Sequence, residues 1–240
     1  MTRPVLSIFA LLLLAAAPTK VPLDRALLAG QLAALSESGS AEATYHLGMM
    51  KHLGIGSPKD DRAAFELFRK AAEAGDPLAA FKLGDYYAHA DNGQVEPDKA
   101  EALRLKTIAA EAGYALAQYD VARLYFEAEQ TDLALEWLLR AAQQGHPDAL
   151  RALASLYNSD AIPKDSARTY AYYALYLARL ATPTEKQTAF QTEFIAKMIV
   201  EDKVRGDQIV KDWHIETSSL TAKAQGGLRA AVALVSGTAR

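Results

Sequence analysis

The chain has 240 residues, 50% of them apolar, with 26 Lys and Arg against 29 Asp and Glu. That composition supports a sizeable core, excludes a disordered chain and, with no long run of like charge, offers no basic face for nucleic acid. With no cysteine at all, disulfides, thiolate metal sites and cysteine nucleophiles are excluded together.

In chain order, residues 1–20 come first and stand apart. Arg3 precedes an apolar run from Val5 to Ala17, which ends in Ala15-Ala16-Ala17-Pro18. Such a run in a helix rises only ~20 Å, short of the ~30 Å core of a bilayer. A basic start, a short apolar run and a small-residue exit read as a secretory signal peptide, its cleavage point left open. No cysteine follows to carry a lipid anchor. Residues 21–37 read as an N-terminal capping helix: Val21-Pro22-Leu23-Asp24 resembles Ser57-Pro58-Lys59-Asp60 and opens a helix from Arg25 to Leu35.

From residue 38 the chain repeats itself. Tyr45-His46-Leu47-Gly48, Gly54-Ile55-Gly56, Asp60 and Ala71-Ala72 return as Phe81-Lys82-Leu83-Gly84, Asp98 and Ala109-Ala110. A third copy reads Tyr119-Asp120-Val121-Ala122, Trp137 and Ala141-Ala142, and a worn fourth holds Leu153-Ala154, Tyr157, Asp165 and Tyr172-Tyr173. Gly39, Gly75, Gly113 and Gly145 mark the unit boundaries, 36, 38 and 32 residues apart. A period of this length implies stacked helix pairs, none of which buries its apolar face alone. The units are about 38–74, 75–112, 113–144 and 145–181.

Local chemistry divides each unit. Asp60, Asp98 and Asp165 stand where a second helix needs an N-cap. Gly75, Gly113 and Gly145 follow each Ala pair, where a helix end favours a left-handed residue. Pro77 and Pro147 then open the next first helix. Gly48 and Gly84 predict a close approach between helices. The second unit is lengthened at residues 90–94, and the third has the glycine-free loop 128–132. Residues 182–240 read as capping helices and a mobile tail: one helix after Pro183 carrying Phe190, Phe194 and Met198, a short one at 207–213, and one at 219–235 weakened by Gly226-Gly227. The expected fold is all-α, a right-handed α-solenoid of stacked antiparallel helix pairs, with nine to eleven helices.

The residues Ala43, Tyr45, Leu47, Gly48, Gly54, Gly56, Asp60, Ala64, Lys70, Ala71 and Ala72 stand together in register. In this the chain resembles the Sel-one-like repeat family, relatives of the tetratricopeptide repeat, over residues 38–181. The resemblance implies a binding scaffold. The third copy lacks the glycine loop and the fourth lacks the Tyr and Gly of its first helix, so those units depart from the pattern.

No catalytic elbow, phosphate loop or zincin motif is present, and the five histidines form no metal-ligand spacing and read as surface residues. The expectation is therefore no enzyme, no cofactor and no metal. The leading reading is an exported, periplasmic or secreted scaffold that binds a protein or peptide in the cell envelope, neither a nucleic-acid binder nor an integral membrane protein. A cell-wall polysaccharide module and a β-lactamase-like hydrolase are the alternatives. In tetratricopeptide-like stacks the first helices line a concave groove, and the resemblance places Tyr45, Met49, His52, Phe81, Asp85, Tyr119, Arg123, Phe126, Arg151 and Ser155 there. Tyr45, Phe81 and Tyr119 also fit a core position of the repeat. Arg123 and Arg151 would offer two guanidinium forks to an acidic or C-terminal carboxylate partner.

Overall fold

A computed structural model describes residues 23–89 and 95–238. The apolar run expected to be a signal peptide, Val21-Pro22 and the 90–94 insertion lie outside the described residues. Within them the chain forms thirteen α-helices and no strand. α1 (Arg25–Glu37) precedes four helix pairs: α2 (Ala41–Leu53) with α3 (Asp61–Glu73), α4 (Pro77–Ala88) with α5 (Lys99–Glu111), α6 (Ala115–Glu127) with α7 (Thr131–Gln143), and α8 (Pro147–Tyr157) with α9 (Ser166–Ala178). Each helix packs mainly on its neighbours in sequence, the contact pattern of an α-solenoid.

The helix boundaries follow from capping. The carboxylates of Asp24, Asp60, Asp98 and Asp165 accept backbone N–H groups at the starts of α1, α3, α5 and α9. Ser40, Asp76 and the His146 ring do the same for α2, α4 and α8. The third unit is the exception. Tyr114 and Gln130, at the N-caps of α6 and α7, provide no side-chain cap.

Packing follows the repeat. Phe68, Leu105, Trp137 and Tyr172, one from each second helix, are all buried. Gly84 marks a close approach, since a Cβ there would stand 2.9 Å from Lys106 Cγ and 3.3 Å from the Ala102 carbonyl. In the glycine-free loop of the third unit, Glu129 takes the left-handed backbone itself, with φ of 58°. Gly54 holds that conformation at the first unit's turn.

Past the repeats the structure differs from the sequence expectation. α10 (Glu185–Ala196) buries none of its residues, and Phe190 is exposed. α11 (Val200–Asp212) is the helix packed more extensively on α9. It starts seven residues before the expected position because Gly206 does not break it; a Cβ at Gly206 would meet the Tyr170 ring at 2.6 Å, so the glycine admits that ring. Asp207 lies mid-helix, bonded to Tyr170 and Lys203. The final expected helix is two, α12 (Ser219–Gly226) and α13 (Leu228–Val235), because Gly227 takes φ 50°, ψ −122°, which no helix continues. α13 packs on α1 and α2, at the opposite end of the stack from α11.

Candidate functional site

The ten groove residues named from sequence do not form one line; the structure sorts them into three places. Tyr45 and Phe81 are core, 8% and 3% exposed, and burial raises the Tyr45 phenol well above its ordinary range. Tyr119 is half-buried and stacks on the His146 ring at 4.9 Å, while Phe126 packs on the same core cluster as Val121 and Leu153. These aromatics hold the array together. His52 pairs through Nδ1 with Asp61, at 3.0 Å, and lies edge-on to Phe68 and Tyr86.

Asp85 and Arg123 are brought together. They line a polar recess of about 230 Å³ with Ala102, Lys106, Asp120 and Glu127. Its floor is Lys106, only 5% exposed, whose ammonium reaches Asp85 at 2.7 Å and also bonds Asp120. Its Nζ also lies over the Phe81 ring, at 5.0 Å. Burial alone would lower the Lys106 pKa, but the two carboxylates hold it above the usual lysine range. Arg123 stands on the rim, half-exposed, and among the described residues pairs with Glu127 at 3.4 Å on its own helix. Arg151 is equally exposed beside Asp148 at 3.5 Å, and the Ser155 hydroxyl donates to the Arg151 carbonyl. Both guanidiniums thus keep weak local pairs that a partner's carboxylate can displace.

The third place is a seam beneath the chain's own C-terminus. Met49 lines a small apolar cleft of about 80 Å³ with Tyr45, His46, Met50, Leu53 and Ile55 on one side and Ala224, Gly227, Leu228 and Ala231 on the other. His46 is not a surface histidine: it is 4% exposed, its Nε2 has no hydrogen-bond partner among the described residues, and Glu42 lies 3.8 Å away. Burial lowers its pKa, against the opposing pull of Glu42. His146 likewise serves as an N-cap.

Sequence reasoning did not find the residues that hold this C-terminal segment. Gln143 donates to the His214 carbonyl at 2.6 Å, and its own carbonyl accepts the Glu216 N–H. The Gln144 side chain donates to the Gly113 carbonyl and to Gln118, and accepts from the Ser218 N–H and the Thr221 hydroxyl. Thr221 in turn accepts the Ala115 N–H at 2.9 Å. A side chain 106 residues away thereby supplies the cap that Tyr114 withholds from α6. The legible signal was the missing Asp or Ser at the third unit boundary. Among the described residues no group of three or more His, Asp and Glu is placed to hold a metal, and no helix is long and apolar enough to cross a membrane.

Paired helices stacked in succession define an α-solenoid repeat scaffold. The chain belongs to the Sel1 repeat family, which matches at residues 41–76, 77–114, 115–146 and 147–175. Such repeats generally mediate protein interactions and are generally non-catalytic. An uncharacterized protein of Neisseria meningitidis serogroup B is 37% identical over 45% of this chain and 23% of its own length. Chitin synthase regulatory factor 4 of Schizosaccharomyces pombe is 27% identical over 64% of this chain and 24% of its own. The matched stretch thus spans about a quarter of each of these relatives. Among solved structures, a Sel1 repeat protein from Oxalobacter formigenes superposes with a TM-score of 0.62 at 25% identity, covering 79% of this chain and 77% of that one. The protective antigen c5321 of uropathogenic Escherichia coli, which displays an SLR fold, gives a TM-score of 0.63 at 22% identity, over 90% of this chain and 46% of its own.

Proposed function

We propose that the chain is a non-catalytic, exported scaffold of the cell envelope whose first-helix face receives a segment of a partner protein. The observation that carries the reading is the recess between α4 and α6. Its two aspartates are paired within, Asp85 with Lys106 and Lys82 and Asp120 with Lys106, while Arg123 stands at the rim with a weak pair to Glu127. A solvated rim guanidinium over an ordered floor suits a carboxylate of a partner, and Arg151 offers a second one two helices along. Export is supported by the basic start and short apolar run of residues 1–20. A regulatory role is in keeping with the fission-yeast relative, which is named as a regulatory factor.

The test replaces Arg123 and Arg151 with glutamate in the mature protein. Both side chains are exposed, so the fold survives and circular dichroism verifies it. Crosslinked partner recovered from the native envelope falls at least tenfold if the face is the site, the loss of about 1.4 kcal/mol expected when charge pairing turns to repulsion. Undiminished capture by the folded variant refutes the assignment. Sedimentation with insoluble peptidoglycan, independent of these arginines, favours the polysaccharide-module reading instead.

A further inference from the structure

The segment from Trp213 to Ser236 returns along the stack from the last repeat to the first. Trp213 is edge-on to Tyr172 in α9, at 5.6 Å. Gln143 and Gln144 then hold residues 214–218 through bonds to their backbone, a mode of grip that reads extended polypeptide regardless of sequence. Ser218 caps α12 and donates to the Gly113 carbonyl at 2.6 Å. Thr221 caps α6, Lys223 reaches Glu42 at 3.0 Å, and Leu220 and Ala224 lie on the cluster that contains Tyr45 and Phe68. These are the features of a bound peptide.

The same segment is held weakly for its length. The repeat helices bury four to seven residues each, whereas α12 buries only Thr221 and α13 only Ala231. At eight residues apiece, neither helix is stable without its dock, and elements with so little buried surface open first. The fit is incomplete as well. The cleft beneath them remains unfilled, and the orphaned His46 Nε2 borders it. A buried ring nitrogen without a partner is a deficit that another occupant can remedy. Met49 and Met50 in the same cleft adapt readily to a different shape.

We propose that residues 213–236 are a displaceable occupant of a peptide-binding site. That site receives from a partner an extended stretch leading into an alanine-rich helix, with hydroxyls at its N-cap and third position and a lysine or arginine at its fifth. The occupant's own Ser218, Thr221 and Lys223 define that chemistry. The inference rests on the scaffold reading above and assigns it a second contact surface, closed until its strap leaves.

The probe is a fluorescent synthetic peptide with the sequence of residues 213–236, followed by anisotropy against three forms of the full chain. The first is unmodified. The second is Thr221→Ala with Lys223→Glu, which alters only the strap and leaves the receiving surface intact. The third carries Glu42→Cys with Lys223→Cys, bridged by a short bis-maleimide. Since the chain has no cysteine of its own, these two thiols alone react. The weakened strap raises the open fraction, so the second form binds the peptide about tenfold tighter than the first. The bridged form binds none, and a peptide carrying the same two strap substitutions fails to bind the second form. Equal affinity for all three forms overturns the proposal. So does absence of binding to the second form while hydrogen exchange shows residues 219–235 released. A dimer of the unmodified chain that the bridge abolishes gives the site to a second copy's strap and overturns the partner assignment. Arg123 and Arg151 lie outside the strap's contacts, so their reversal tests the scaffold reading and the peptide assay tests the strap.

Discussion

Lys106→Met should be the most damaging single change in the second repeat, and its damage should depend on pH. The lysine is 5% exposed and faces Asp85 and Asp120, whose side chains are 30% and 16% exposed. Methionine retains most of the stem and its packing on Phe81, so the cavity contribution is small. What remains is two carboxylates of which Asp85 keeps Lys82, at 3.4 Å, while Asp120 has lost its cation. Breaking a fully buried pair costs about 3–5 kcal/mol; partial exposure of both aspartates reduces this to roughly 2–3 kcal/mol near pH 7. For a chain of this size that lowers the melting temperature by about 4–12 °C. In the variant the two carboxylates repel each other across the recess, and a proton taken up by either relieves that repulsion. The folded variant therefore takes up protons more readily than the folded parent, and its deficit relative to the parent shrinks as pH falls from 6 toward 4. Urea titrations of both proteins at pH 4, 5.5 and 7 measure this. Adding Asp85→Asn and Asp120→Asn should restore most of the stability at pH 7. A deficit below about 1 kcal/mol at pH 7, or one that does not change with pH, would refute the reasoning.

Gly84→Leu forces a side chain where even a Cβ meets Lys106 and the Ala102 carbonyl, and should cost about 1–3 kcal/mol by overpacking; an unchanged melting temperature would place the close approach elsewhere. Glu129→Gly relieves a left-handed non-glycine residue and should stabilise the chain by about 0.5 kcal/mol after the added unfolded-state entropy is subtracted, which a thermal melt resolves. Burial lowers the pKa of both His46 and His146, despite Glu42 beside the first and Asp148 and Asp120 beside the second, with Lys223 reinforcing the shift at His46. Below the unfolded value of 6.5 the unfolded chain therefore takes up protons that the folded chain does not. Their contribution is intact above pH 6.5 and is lost as pH drops toward the folded values. Part-buried Asp76, raised from its ordinary pKa by desolvation, opposes this trend nearer pH 4. The pair His46→Gln and His146→Asn should flatten the decline between pH 6.5 and 5 in chemical denaturation, and an identical slope would count against it.

The repeat was readable because its determinants are local. Asp60, Asp98 and Asp165 cap helices that begin one residue later, so short-range chemistry places them. The Tyr45 and Phe81 positions were readable as core for the same reason. What lay beyond sequence was long-range. Lys106 sits on a helix whose consensus position gives no sign that two aspartates from the flanking helices converge on it. The C-terminal segment was read as a mobile tail because Gly226 and Gly227 weaken it in isolation; its partners, Gly113, Gln143, Gln144 and Glu42, are separated from it by at least 71 residues. The helix expected at 207–213 was drawn too short, since nothing local shows that Gly206 makes room for a ring from another helix.

The capping of α6 by Thr221 has a consequence for how the molecule comes apart. An open array of repeats is a line with two loose ends, and melting ordinarily starts at whichever end is weaker and travels inward. Here the last segment of the chain is fastened to the first helix and, midway, to the least self-sufficient unit. The line is closed into a circuit. Fraying at one terminus then removes a constraint from the other and from the middle, so the repeats melt together while the circuit holds and one by one once it is broken. In synthesis the order is fixed: the third unit emerges about a hundred residues before its cap, and the array must stand provisionally until its final turn arrives to complete it.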